Sequence, residues 1–299
     1  VLFYLSERKK HPETAVKSDE KTVLCPTDFS EQSAIALKYA EKIANVFGAK
    51  LKVLNAHEPD LPPYFTDSQL EEISAEEQQV EDENVLQIKG FVKGNLGSES
   101  KFDSIFVDDS PVPAILEETD KADTILIALG THGRKGIEKL KFGSVAESVL
   151  RETQTAVLTV NEKVENPQNI EIERIICPVD FSDESENALK FAALLAKKND
   201  AELLTIQVSE NKNAENLPEI CDWISEETMQ NCNLREIVKH GDFIEQLLKE
   251  TKTESADLLV IGSNHHLFGD KTLGAKTSEI IKNSPVPVIV ITDNFESML

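Results

Sequence analysis

The chain has 299 residues and is acidic, because 54 Asp and Glu residues outweigh 31 Lys and Arg residues and leave a net charge of −23. This balance argues against a nucleic-acid-binding or anionic-membrane-binding surface, since both need a basic footprint. No apolar run reaches about 18 residues, so no membrane span is expected.

The first segment, VLFYLSERKKHPETAVKSDE, begins apolar and then becomes charged. A secretory signal places its positive residues first and ends in a small-residue cleavage site, and this stretch does neither. We therefore expect residues 1–20 to be a leader outside the fold.

An internal repeat organises the rest of the chain. CPTDFS at Cys25–Ser30 recurs as CPVDFS at Cys177–Ser182, and GTHG at Gly130 has a counterpart in GSNH at Gly262. This predicts two copies of one domain-sized unit, copy one and copy two, with about twenty extra residues in copy one between Ala56 and Asp109. The predicted boundaries are 21–160 for copy one, 161–172 for a linker, 173–293 for copy two and 294–299 for a tail.

Copy one opens with a strand, a helix and a second strand. Lys21–Pro26 is an unbroken apolar run stopped by proline, as expected for a parallel strand covered on both faces. Ser30 is the predicted N-cap of the helix, and Gly48 is the predicted C-cap. Lys50–Ala56 is the next strand, so the order implies a right-handed βαβ unit. The helix should bury one stripe, formed by Ile35, Tyr39, Ile43 and Phe47.

The same alternation continues to the end of each copy. Copy one adds strands at Asp103–Asp109, Asp123–Leu129 and Thr155–Val160, with helices at Pro111–Thr119 and Ser144–Arg151. Copy two supplies LREIVKH, DFIEQLLKE, ADLLVIG, KTSEIIKN and VPVIVI in the same order. Each copy is therefore predicted to be an open, doubly wound α/β sheet of five parallel strands. Such sheets bind ligands at the carboxyl ends of the strands, where the strand order reverses.

Two parts of the extra segment in copy one have different compositions. Asp67–Val85 is rich in acids, and a helix there would place Leu70, Ile73 and Val80 toward the core. Gln87–Lys101 contains three glycines, which predicts a hairpin or a mobile loop that can act as a lid.

A glycine-rich loop follows the fourth strand of copy one. GTHGRKGIEKLKFGS runs from Gly130 to Ser144, where the next helix is predicted to begin. Glycines let the backbone approach a ligand, and free N–H groups at a helix N-terminus attract anions. The loop lacks the GxxxxGK[ST] pattern of the P-loop, and a dinucleotide fingerprint would follow the first strand. The context predicts a phosphate site of another kind.

At these residues the chain resembles the universal stress protein family. Gly-x2-Gly-x9-Gly-Ser after the fourth strand is similar to that family's ATP-binding signature, and PTDFSEQSAIALKYA and PVDFSDESENALKFA resemble the start of its domain. The resemblance covers Lys21 to about Asp293 in tandem form. It implies a Rossmann-like fold of the adenine-nucleotide alpha-hydrolase-like type, repeated twice. It also implies that the last strands of the two copies pair within the chain as an intramolecular pseudo-dimer.

The resemblance further implies roles for particular residues. Asp28 would lie beside the nucleoside, Pro26 and Thr27 would line the pocket, and Ala56 would meet the adenine through its backbone. Asp28 has an alternative interpretation, because an acid just before a helix can serve only the helix dipole. Residues implied to hold the ribose and phosphates are Gly130, Gly133, Gly143, Ser144 and Val145. His132 lies within the loop and either approaches a phosphate or has no role.

Copy two departs from this pattern. It keeps Asp180, Gly262 and Gly274, but His265 replaces Gly133 and Ala275 replaces Ser144. A Cβ takes space where backbone must approach phosphate, and alanine removes a hydroxyl donor. We therefore expect the second site to be empty or to bind a smaller ligand weakly, and we assign no metal site to the paired histidines.

The cysteines do not form metal-spaced pairs. Cys25 and Cys177 end apolar runs and are predicted to be buried thiols, and the absence of a disulfide pattern favours a cytoplasmic location.

The predicted function is an ATP-binding stress-response protein, with or without Mg²⁺, that acts as a nucleotide-dependent sensor or adaptor and not as an enzyme. Two alternatives remain: a slow ATPase or phosphotransferase with Asp28 as its candidate base, and a scaffold with a vestigial site. A protein partner and a homodimer are left open.

Overall fold

The computed structural model describes residues 18–57, 67–131, 143–209, 220, 232–263 and 273–292. The predicted tail, most of the leader and Cys221 lie outside these residues. Within them the secondary structure alternates as the sequence predicts. In copy one the elements are β1 (Ser18–Pro26), α1 (Glu31–Phe47), β2 (Lys50–Ala56), α2 (Asp67–Leu96), β3 (Asp103–Val107), α3 (Pro111–Lys121), β4 (Ala122–Gly130), α4 (Ser144–Glu152) and β5 (Val157–Val160). In copy two they are β6 (Arg174–Pro178), α5 (Asp183–Asn199), β7 (Glu202–Ser209), β8 (Asn233–His240), α6 (Phe243–Thr253), β9 (Leu258–Gly262), α7 (Ala275–Asn283) and β10 (Val288–Ile291).

The first strand is longer than predicted. It begins at Ser18, inside the segment that we expected to lie outside the fold, and Ser18 pairs with Ala122 of β4. The register shifts between Ser18 and Lys21, so the added residues join β4 through an irregular stretch.

The ends of α1 follow the predicted chemistry. The Ser30 hydroxyl accepts a hydrogen bond from the Ser33 N–H at 3.2 Å, which satisfies one of the unpaired donors of the first turn. Gly48 closes the helix in the left-handed conformation, with φ of 63°. Asp200 takes the same conformation after α5, with φ of 56°, because Asp tolerates the left-handed region better than most residues with a Cβ.

The ten strands of the described residues form one sheet, in the order β3-β2-β1-β4-β5-β10-β9-β6-β7-β8. Strands within each copy are parallel, and β5 and β10 are antiparallel with Leu158 opposite Ile289. This junction confirms the predicted pairing of the last strands within the chain. It also covers two short, wholly buried apolar strands that would otherwise be exposed edges.

Side chains reinforce the junction between the copies. The buried Asn161 amide donates hydrogen bonds to the carbonyl oxygens of Ile281 and Ser284, at 2.5 and 2.9 Å, at the end of α7. Between α1 and α5 the Phe47 ring stacks on Phe191 with 6.1 Å between centroids. The two copies therefore share a core as well as a sheet.

In its described part, the stretch that holds the extra residues of copy one forms one helix, α2, of 30 residues. The predicted hairpin or loop at 87–101 is wrong, because the helix continues to Leu96 and includes two of the three glycines. Ile88 and Val92 are one helical turn apart and both are fully buried, so their packing holds the helix together despite its weak formers.

The predicted core stripe of the acidic part is also wrong at its last member. Val80 is 47% exposed, since the buried face of α2 is set further along the helix by Ile88 and Val92. The side chains of Leu70 and Ile73 lie outside the described part of the structure.

Cys25 and Cys177 are buried and unpaired, as predicted. Burial raises the pKa of the Cys25 thiol to about 12, and burial together with the nearby Asp180 raises the pKa of Cys177 further. Both thiols are therefore packing residues and not nucleophiles. No helix among the described residues is long and apolar enough to cross a membrane.

Candidate functional site

The strand order of copy one reverses between β1 and β4. The chain leaves β1 toward β2 on one side, while β4 lies on the other side of β1. The register places Pro26 opposite Leu54 on β2, and Leu24 opposite Ile127 on β4, so the three strands end at the same edge. This edge is where a doubly wound sheet forms its ligand crevice.

The structure brings most of the predicted site residues to this edge. Pro26, Thr27 and Asp28 end or follow β1, Ala56 ends β2, and Gly130 ends β4. The Gly143 N–H donates to the Thr131 carbonyl oxygen at 2.7 Å, so the start of α4, with Ser144 and Val145, lies beside the end of β4. His132 and Gly133 lie outside the described residues.

Asp28 is fixed by the turn that leads into α1. One of its carboxylate oxygens, Oδ1, accepts hydrogen bonds from the Ser33 hydroxyl at 2.6 Å and from the Ser30 N–H at 3.1 Å. Phe29, which lies between Asp28 and Ser30 in the chain, has φ of 62°, which is uncommon for an aromatic residue. These contacts support the interpretation of Asp28 as a residue that shapes the helix start.

Thr27 is fixed at three atoms. Its N–H donates to the Leu54 carbonyl oxygen at 2.8 Å, its carbonyl oxygen accepts from the Asn55 side-chain amide at 2.7 Å, and its hydroxyl accepts from the Phe29 N–H at 3.0 Å. The sequence prediction did not include Asn55. A signal was present, because Asn55 is a polar residue next to the end of an apolar strand that leads to the ligand edge.

Gly130 has a packing role that the sequence did not reveal. A Cβ at this position would lie 2.8 Å from the Gln32 Cβ and 3.1 Å from backbone atoms of Gln32 and Ser33. In copy two a Cβ at Gly262 would lie 2.3 Å from the Glu184 carbonyl oxygen. The end of the fourth strand touches the first helix in both copies, so glycine is required at this point whether or not a ligand binds.

Among the described residues, no side chain caps the N-terminus of α4. Gly143 precedes the helix with φ of −62° and forms no side-chain cap, and Ser144 is exposed. The N–H groups of the first turn and the Ser144 hydroxyl can therefore donate to an anion. In copy two α7 also begins without a side-chain cap, after Gly274, but Ala275 offers no hydroxyl.

The carboxylate of copy two is held differently. Asp180 Oδ1 accepts from both the hydroxyl and the N–H of Ser182, at 2.6 and 3.1 Å. Partial burial opposes its ionisation, but these bonds and one from Ser185 lower the pKa of Asp180 below its usual value. Val179 replaces Thr27, yet Phe181 repeats the left-handed turn with φ of 63°. His265 lies outside the described residues.

Two doubly wound units joined through their last strands, each with a helix start at its switch point, define a tandem Rossmann-like α/β protein. The chain belongs to the universal stress protein family: the family model described as "Universal stress protein family" matches residues 20–161 and 171–292.

Individual relatives agree with this assignment. A universal stress protein of Methanocaldococcus jannaschii is 29% identical over 145 residues, which are 48% of this chain and 82% of the relative. One of Thermus aquaticus is 30% identical over 142 residues, 47% of this chain and 98% of the relative. The crystal structure of a universal stress protein from Archaeoglobus fulgidus is 24% identical in sequence, with a TM-score of 0.64. The match covers 91% of this chain and 98% of the Archaeoglobus fulgidus chain. The first two relatives correspond in length to one copy, and the third shares the fold of both.

Proposed function

We propose that this chain is an ATP-binding stress-response protein in which copy one holds the nucleotide, and that it acts as a sensor or adaptor. The observation that carries the proposal is the crevice of copy one. There Asp28 follows β1, Ala56 ends the neighbouring β2, and the uncapped start of α4 is tied to the end of β4 by the bond between Gly143 and Thr131. A nucleotide needs both features. Polar groups at the strand ends can bind the base and ribose, and N–H donors at the helix start can bind the phosphates.

The difference between the copies supports a single site. Ser144 offers a hydroxyl at the first turn of α4, and the equivalent Ala275 of α7 does not. Gly133, which has no Cβ to obstruct a phosphate, has His265 as its counterpart. Gly262 is retained in copy two, but its contact with Glu184 explains that retention by packing alone. Copy two is proposed to be a structural partner of copy one.

Binding is proposed here without efficient catalysis. Asp28 is the candidate base of the sequence, and one of its two carboxylate oxygens already accepts two hydrogen bonds from the turn. A base held in this way is better suited to fix a ribose than to activate water. We expect ATP turnover well below about 1 per second, the lower end of typical enzyme rates.

The proposal is tested by calorimetry on the full chain, with mass spectrometry of any nucleotide released on denaturation. We expect one ATP per chain, loss of binding in Gly133→Val, and unchanged binding in the matched control His265→Val. Titrations of ATP with and without Mg²⁺ establish whether the metal contributes.

Several results would contradict the proposal. Two equivalent ATP sites, or tight binding retained in Gly133→Val, would refute the single-site assignment. Rapid turnover that Asp28→Asn abolishes while ATP still binds would favour an ATPase.

A further inference from the structure

Asn55 connects the two strand ends that the proposed function assigns to the nucleoside. It precedes Ala56 in β2, and its side-chain amide donates to the carbonyl oxygen of Thr27, the residue before Asp28, at 2.7 Å. Both partners are buried, with 8% of Asn55 and 7% of Thr27 exposed. The bond is therefore shielded from water. If it is broken, no water molecule can replace the amide as a donor to the Thr27 carbonyl oxygen.

This bond lies at the point where the pairing of β1 with β2 ends. The pairing of β1 with β2 finishes at Pro26 opposite Leu54, and proline has no N–H to continue it. The Thr27 N–H to the Leu54 carbonyl oxygen and the Asn55 amide to the Thr27 carbonyl oxygen extend the connection by one residue. The main chain of Thr27 is held to β2 on both of its polar atoms.

The effect reaches Asp28 through its neighbours. The Thr27 hydroxyl accepts from the Phe29 N–H at 3.0 Å, so Asp28 lies between two residues whose backbone is fixed. Ala56 is tied in turn to β3, because it pairs with Val107 and the following N–H donates to the Val107 carbonyl oxygen at 3.0 Å. The side chain of Asn55 thus links the residue before Ala56 to the residue before Asp28.

Copy two shows that the left-handed turn does not need the Thr27 hydroxyl. Val179 keeps the backbone bond to Ile206 at 2.9 Å but has no hydroxyl, and Gln207 stands in the place of Asn55. Phe181 nevertheless has φ of 63°, against 62° for Phe29. The Thr27 hydroxyl is therefore a feature of copy one that the turn does not require, and an amide side chain stands at the Asn55 position in both copies.

From these contacts we infer that Asn55 is a positioning residue for the nucleoside side of the site, which acts through Thr27 to place Asp28 opposite Ala56. This inference rests on the proposed function, because it assumes that the base and ribose lie between these strand ends. It adds the residue that sets the width of the crevice.

The test compares three variants of the full chain at Asn55. Asn55→Asp keeps the shape but removes the amide donor, Asn55→Ala removes the side chain, and Asn55→Gln keeps a donor, as copy two does at this position. Loss of one hydrogen bond predicts that Asn55→Ala and Asn55→Asp bind both ATP and adenosine about three to ten times more weakly. The factor should be the same for the two ligands, because the phosphates lie at α4. Asn55→Gln should recover part of the affinity.

Gln207→Ala is the matched control, because it changes the equivalent strand position of copy two, and it should leave ATP affinity unchanged. Wild-type affinity in Asn55→Asp, a loss confined to ATP, or a loss in Asn55→Gln as large as in Asn55→Asp would each overturn the positioning role. If Asn55→Ala does not fold, the isosteric Asn55→Asp and the amide-bearing Asn55→Gln still decide the question. Failure of the wild-type protein to bind either ligand would refute the proposed function itself, and this inference with it.

Discussion

Copy one and copy two form the same turn after their first strand from different side-chain contacts. In copy one the Ser33 hydroxyl donates to Asp28 at 2.6 Å, whereas in copy two the Ser182 hydroxyl donates to Asp180 at 2.6 Å. The N–H two residues after the aspartate donates to it in both copies, at 3.1 Å. The serine N-caps of the following helices are alike, with the hydroxyl of each accepting from an N–H at 3.2 Å. The backbone is thus specified by the shared cap and the shared acceptor, and the remaining polar contacts were free to diverge.

The glycines after the fourth strands also distinguish a shared structural requirement from features that differ between the copies. Gly130 and Gly262 stand where the fourth strand touches the first helix, and both copies need them for packing. Residues that differ between the copies, such as Ser144 and Ala275, begin the helices after the fourth strands, where the proposed phosphate site lies. The comparison teaches that a retained motif glycine is not evidence of a retained ligand.

The largest expected effect tests this packing role. Gly262→Ala would place a Cβ 2.3 Å from the Glu184 carbonyl oxygen, a backbone atom that cannot turn away. Gly130→Ala would meet mainly the Gln32 Cβ at 2.8 Å, so a smaller shift relieves it. We expect Gly262→Ala to lower the free energy of unfolding by about 3 kcal/mol or more and Gly130→Ala by about 1–2 kcal/mol, measured by urea denaturation. Equal and small losses would show that the strand ends are not in close contact with the helices.

Much of the fold could be predicted from local features of the sequence. Pro26 ends a buried strand, Ser30 and Gly48 bound the first helix, and the repeat supplies the second copy. The extent of α2 could not be predicted, because Gly90 and Gly94 are typical of helix ends. Only the structure shows that Ile88 and Val92 are buried and stabilise the helix across these glycines.

The site was predictable only in part, for a related reason. Gly130 is adjacent to Gln32 in space but remote in sequence, and the bond from Asn55 to Thr27 depends on the register of two strands. Composition and spacing identify residues at strand ends, but contacts across the sheet decide which of them support the others.

The second prediction sharpens the comparison at the helix starts. If Ser144 donates to a phosphate, Ser144→Ala should weaken ATP about tenfold or more, since a hydrogen bond to a charged group contributes roughly 1.5–3 kcal/mol. Adenosine has no phosphate and should bind almost as before. Calorimetry with both ligands measures the two factors. Equal losses for ATP and adenosine would show that the serine shapes the pocket and does not contact the phosphate.

Ala275→Ser provides the reciprocal change in copy two. It restores the hydroxyl but leaves His265 in the loop, so we expect no ATP site from this change alone. The double change His265→Gly with Ala275→Ser is the variant in which weak binding to copy two should first be detected. Strong binding in Ala275→Ser alone would mean that the serine is the main difference between the copies.

The smallest expected effect concerns a buried position that the two copies fill differently. Thr205 of β7 is fully buried, and its hydroxyl has no hydrogen-bond partner within the described part of the structure; copy one has the equally buried Val53 at the equivalent position of β2. Because an unsatisfied buried hydroxyl loses its hydration without compensation, Thr205→Val should raise the free energy of unfolding by about 1 kcal/mol. Val53→Thr should lower it by a similar amount. Urea denaturation of both variants measures the two changes. A loss of stability in Thr205→Val would mean that the Thr205 hydroxyl has a hydrogen-bond partner, and that β7 and β2 are stabilised by different contacts at this position.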